Sequence, residues 1–148
     1  MQLDAANVFG ESIATGSTGT NNLGDVIDLA VERDIGAGQP VFANAVVQTA
    51  IAAGTGGTYQ VKVVSADDAA LSSNVVEHVT SAEFDAASGI AAGQTLLNVA
   101  LPAEVAGGGY GRYLGVQEVV GTAATSAGAV DVYLSHDQRA YQAYPNQV

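Results

Sequence analysis

Apolar and polar side chains alternate along most of this chain with a period of two. In residues 40–49, Val41, Ala43, Ala45 and Val47 fall on one face, and Phe42, Asn44, Val46 and Gln48 on the other. Tyr59, Val61 and Val63 alternate in the same way with Gln60 and Lys62. Successive side chains of an extended backbone point to opposite faces, so both segments are predicted strands. The same reading predicts strands over residues 26–31, 74–80, 95–101, 112–120 and 129–135, and Leu3, Val8, Phe9 and Ile13 suggest an edge strand near the start. Residues 15–22 are almost entirely Gly, Ser, Thr and Asn and read as a loop.

Turn signals separate these runs: Gly36-Ala37-Gly38-Gln39-Pro40, Gly54-Thr55-Gly56-Gly57, Asp67-Asp68, Gly107-Gly108-Gly109 and Ser126-Ala127-Gly128. Seven or eight short strands at this spacing predict an all-β domain, a jelly-roll-like β-sandwich. The division expected is an N-terminal edge segment and loop over 1–24, a sandwich core over 25–135 and a non-strand C-terminal arm over 136–148. One segment dissents from the pattern. Ser81-Ala82-Glu83-Phe84-Asp85-Ala86-Ala87 offers an N-cap serine and helix-favouring residues before Gly89, which predicts a single helical turn.

Composition sharpens this picture. Charged residues are 13% of the 148, about half the usual share, and the formal net charge is −11. Much of the surface is therefore neutral and weakly hydrated, which suits a protein that works packed against another surface. Four cations cannot neutralise a row of phosphates, so nucleic acid is excluded as a partner, and so is an anionic membrane. Residues 35–61 are uncharged before Lys62, but Gln39, Pro40, Asn44, Gln48, Gly54, Gly56 and Gly57 interrupt them, so no membrane span is read there. No positive n-region of a secretory signal precedes Arg33. The absence of cysteine removes disulfides, thiolate metal sites and thiol nucleophiles together.

Candidate chemistry is sparse. His78 lies in a strand pattern and is expected on the solvated or partner-facing side, away from Val75, Glu77 and Val79. Ser135-His136-Asp137 contains the letters of a catalytic triad, but adjacent extended residues diverge and a triad is assembled from distant segments. Asp67-Asp68 lacks the alternating oxygen ligands and fixed glycine of a calcium loop. The glycine-rich turns precede strands and not helices, so they present no helix N-terminus to a phosphate. The expectation is no enzyme, no metal and no cofactor. Arginine and tyrosine, by contrast, are residues that interfaces favour. Arg33 with Asp34, Arg112 with Tyr113, and Arg139, Tyr141, Tyr144 and Pro145 of the arm are the predicted interface residues, and Gly36, Gly38 and Pro40 the predicted structural turn.

Two segments carry more than composition. Val26-Ile27-Asp28-Leu29-Ala30-Val31-Glu32-Arg33-Asp34-Ile35-Gly36-Ala37-Gly38-Gln39-Pro40-Val41 resembles a block of the capsid cement proteins of tailed bacteriophages. Arg112-Tyr113-Leu114-Gly115-Val116, with Gly121-Thr122 and Ala127-Gly128-Ala129-Val130 after it, resembles a second block of that family. Met1 to Asp4 with Val8-Phe9, and Tyr144-Pro145, are also similar to it. Gln39 stands where the family usually has Glu, and Gly115 where Arg is common. The resemblance implies a jelly-roll-like domain on the outer face of a virion capsid, made in the host cytoplasm, bound to the major capsid protein and to itself as a homodimer or homotrimer. It implies a clamp on adjacent capsid subunits of the expanded, DNA-filled shell. A carbohydrate-binding β-sandwich module on a virion or cell surface is the alternative expectation.

Overall fold

The computed structural model describes residues 7–31, 35, 38–103 and 109–136. Nine strands follow in order: β1 (Val8–Ala14), β2 (Gly19–Asp28), β3 (Phe42–Ala53), β4 (Thr58–Ala66), β5 (Val76–Thr80), β6 (Phe84–Asp85), β7 (Thr95–Ala100), β8 (Tyr113–Gly121) and β9 (Thr125–Ser135). They form two antiparallel sheets, one ordered β1-β9-β3-β7 and the other β2-β8-β4-β5, with β6 paired to β4. No α-helix occurs among the described residues. The architecture is an all-β, two-sheet sandwich.

The inner faces follow from the alternation. Phe9, Ala43, Ala45, Val47, Val130 and Val132 of the first sheet meet Leu23, Tyr59, Val61, Val63, Leu114 and Val116 of the second in one core. Each side chain as large as Val or Leu contributes on the order of 1.5–3 kcal/mol by leaving water. Small Ala43 and Ala45 are both sealed, which lets bulky residues from the opposite sheet approach. Connections also feed this core: Ile90 pairs with Ile51 through backbone hydrogen bonds, and Leu101 N–H donates to Val41 O at 2.8 Å.

Two expectations need correction. Residues 19–22 are not loop but the start of β2, which pairs Gly19 with Val120 and Asn22 with Gln117. This strand has an edge position, so it needs few apolar residues, and Leu23 is its one fully buried side chain. The helical turn over 81–87 is also absent. The Ser81 hydroxyl accepts a hydrogen bond from Val61 N–H instead of capping a helix, and Phe84–Asp85 extends the sheet as β6. Asp85 then caps the next turn, accepting from Ala87 N–H, Ser88 N–H and the Ser88 hydroxyl.

The outer face of the β2-β8-β4-β5 sheet is partly covered by the β4–β5 connection. Leu71 lies over Gly115, where any Cβ would collide with its side chain, and packs with Val64, Ala66, Val26 and Tyr113. Asn22 Nδ2 donates to Ala70 O at 2.8 Å and Gln117 Nε2 to Leu71 O at 3.3 Å, holding this strap down. Asp68 closes it by accepting from Ser72 and Ser73 N–H, the turn role read for Asp67-Asp68.

Candidate interface pole and a sealed serine–histidine pair

Described parts of the two blocks singled out in the sequence, residues 26–29 and 112–114, meet at one pole of the sandwich. β2 and β8 pair there, with Ile27 opposite Leu114 and Asp28 opposite Tyr113, and Leu29 N–H donates to Arg112 O at 2.8 Å. The Arg112 guanidinium grips both oxygens of Asp28, Nε to Oδ1 at 2.9 Å and Nη2 to Oδ2 at 2.8 Å. Its central carbon stands 5.0 Å from the centroid of the Tyr113 ring, in cation–π range. The Arg112 hydrogen bonds, with one from Ala30 N–H, hold the Asp28 carboxyl down at about 2. Both side chains remain about half exposed, at 50% and 44%. Arg112 is thus fastened within its own chain.

Beside this pair a cavity of about 260 Å³ opens between the ends of the two sheets. Ile27, Leu29, Ile35, Val41, Leu114 and Leu134 form its apolar wall, and Asn7, Ser135 and His136 add polar groups. The chain enters β1 and leaves β9 at this same pole. Gly38 has a φ of 102°, a backbone conformation that favours glycine, just before Pro40 and β3. Arg33, Asp34, Gly36, Arg139, Tyr141, Tyr144 and Pro145 lie outside the described residues.

A second cluster was missed in the sequence. The Ser65 hydroxyl lies 2.7 Å from His78 Nε2 and accepts a hydrogen bond from Gly111 N–H at 2.9 Å. The His78 ring stacks on Tyr110 with centroids 3.8 Å apart and planes within 10°. Tyr110 in turn donates its hydroxyl to Pro102 O at 2.6 Å. His78 is therefore buried and not on a solvated side. The pairing of β4 with β5 shifts register between Val63 and Val64, which breaks the simple alternation used to place it. Ser65 did carry a signal, because it continues the inner-face series Tyr59, Val61, Val63, and a polar group there needs a partner.

A hydroxyl beside an imidazole, with a backbone N–H at hand, is the start of an acyl-transfer site. This pair lacks the rest. Ser65 is fully buried, the N–H of Gly111 is spent on the hydroxyl itself, and no carboxylate orients His78 Nδ1, which has no partner. Burial lowers the His78 pKa to about 4, so the ring is neutral near pH 7. The cluster works as a fastening that ties β5 and the start of β8 to β4.

The remaining described cation, Lys62, pairs with Glu77 at 2.7 Å on the outer face. Among the described residues no group of three or more His, Asp or Glu is placed to hold a metal ion. The comparison with curated proteins returned no match. The Bbp16 family model matches residues 11–134, from within β1 to within β9, and with that span the chain belongs to the Bbp16 family.

Proposed function

We propose that this protein is a non-enzymatic decoration protein of a tailed-phage capsid, a jelly-roll-like clamp on the outside of the shell. The observation that supports the reading is that residues 26–29, Ile35 and Val41 of the first block that resembles cement proteins lie beside residues 112–114 of the second at one pole. There they share backbone pairing, the Arg112–Asp28 grip and the walls of the apolar cavity. A charge-poor surface supports the same reading, because docking it against a neutral shell costs little desolvation.

The mechanism is mechanical. Packaged DNA pushes the shell outward, and a clip that bridges neighbouring subunits adds contact area that must be broken before they separate. A standard protein interface buries roughly 1,600 Å². Two or three copies joined together raise the effective concentration of each further contact, so modest contacts sum to lasting attachment. The partners in this proposal are the major capsid protein and further copies of the chain.

The test is to mix the purified chain with expanded, DNA-filled shells and with unexpanded precursor shells and to reconstruct the particles by electron cryomicroscopy. Density for the two-sheet body on the outside of the expanded shell alone is the expected result. Absence from both shells overturns the proposal, and glycan binding without shell binding transfers the protein to the carbohydrate-module class. A chain ending at His136 is expected to keep its fold and to occupy the shell less fully.

A further inference from the structure

Glu118 is a carboxylate turned into the sandwich. It sits opposite Val61 on the inner face, between core residues Val116 and Val120, and only 2% of it is exposed. Its Oε1 accepts from Gly16 N–H at 2.9 Å and from Asn21 Nδ2 at 3.2 Å. Neither its Oε2 nor the buried Tyr59 hydroxyl makes a hydrogen bond of good geometry, yet the two groups lie close enough to interact, the carboxylate raising the Tyr59 pKa and the hydroxyl favouring the ionised carboxyl. Gly16 belongs to the connection between β1 and β2, and a Cβ there would come within 2.8 Å of Oε1, so a larger residue would make the carboxyl shift. The same residue's carbonyl accepts from Thr125 N–H and the Thr125 hydroxyl, and Thr15 N–H donates to Gly128 O.

No counter-charge is present among the described residues. From β4 the titratable group facing Glu118 is Tyr59; β2 and the β1–β2 connection offer the neutral Asn21 amide and Gly16 N–H. In the facing sheet, β3 and β7 contain no charged residue. Glu11 of β1 is exposed, and Asp131 of β9 accepts from Ser12 N–H and alternates with the inward Val130 and Val132. Lys62 is engaged with Glu77 and Arg112 with Asp28. A charge on Glu118 is therefore buried with neutral donors only, and that is costly.

We infer that Glu118 is a proton-linked clasp for the β1–β2 connection, which stays seated while the carboxyl is protonated and lifts to admit water when it ionises. Burial without a counter-charge raises the Glu118 pKa and outweighs the contacts from Tyr59, Asn21 and Gly16, which by themselves favour the ionised form. The seated form then holds its proton to higher pH than the lifted form does. Opening grows by up to about tenfold per pH unit between the ordinary carboxylate range and the midpoint of seated Glu118, and levels off above it. The clasp lies toward the end of β8 away from Arg112 and Asp28, so it makes the loops of that end pH-responsive.

The test follows the Glu118 carboxyl and the Gly16 amide by NMR in the full chain. A carboxyl midpoint above the ordinary range, with Gly16 protection factors falling as pH rises toward it, is the expected result. Glu118→Gln keeps the acceptor for Gly16 and Asn21, so its Gly16 protection is expected to be flat with pH. An ordinary carboxyl midpoint, a flat wild-type protection factor, or unchanged pH dependence in Glu118→Gln overturns the inference. If Glu118→Gln does not fold, the two wild-type measurements decide.

Discussion

Arg112 meets its surroundings through three contacts at once, two hydrogen bonds to Asp28 and the face of Tyr113. Because the pair is half exposed, solvent screens it and its removal leaves no buried charge behind. Arg112→Ala is therefore expected to leave the melting temperature close to that of the wild type while releasing Asp28. The Asp28 carboxyl, now at about 2, is expected to rise part of the way to 3.8, since the Ala30 N–H still holds one oxygen. A carbon-detected titration of Asp28 checks this. The sign follows: a depressed carboxyl stabilises the fold above its unfolded value and loses that effect as pH falls through about 2. Tyr113 was legible beside Arg112 because neighbours in sequence can be read together. Asp28 was not, because 84 residues separate it from Arg112 and only the pairing of β2 with β8 brings them side by side.

At the scale of elements, the strap between β4 and β5 is the part most exposed to a single change. Leu71 and Asn74 hold positive φ values of 53° and 49°, a strain that the seating of Leu71 over Gly115 must offset. Gly115→Ala places a methyl group in the space Leu71 fills, and overpacking of this kind costs roughly 1–3 kcal/mol. Leu71→Ala empties the same site, and the double variant is expected to lose less than the sum of the two singles, because the new methyl group occupies part of the vacated volume. Urea denaturation of the three variants measures the difference; strict additivity would show that the two positions do not share a site. The long, apolar-alternating strands β3, β4, β8 and β9 were legible because each buries one full face. The start of β2 and the whole of β6 were not. Their stability comes from pairing with β8 and β4, and no side-chain period records a partner.

Across the whole molecule, two buried titratable groups pull stability in opposite directions as pH changes. His78 has its pKa lowered to about 4 from 6.5 by burial, so the unfolded chain takes up that proton first and stability is lost as pH falls from 6.5 toward 4. Glu118 has its pKa raised by burial, so the folded chain holds that proton longer and stability is lost as pH rises above 4.5 toward its folded midpoint. Each contributes a slope of at most about 1.4 kcal/mol per pH unit where it acts, and the two oppose each other where their ranges overlap. Asp28, Asp68 and Asp85 have lowered values and change the balance only below that overlap. His78→Phe keeps an aromatic ring to stack on Tyr110 and removes the imidazole titration, so its stability is expected to rise as pH falls through the folded Glu118 midpoint toward 4.5, whatever it has lost at pH 7 from the missing Ser65 contact. Glu118→Gln leaves His78 alone, so its stability is expected to fall over the same interval more steeply than the wild type's. Denaturant titrations of the wild type and both variants at pH 5, 6 and 7 give the three slopes. Slopes of the same sign in the two variants would refute the opposition, since each variant removes one arm of it and leaves the other.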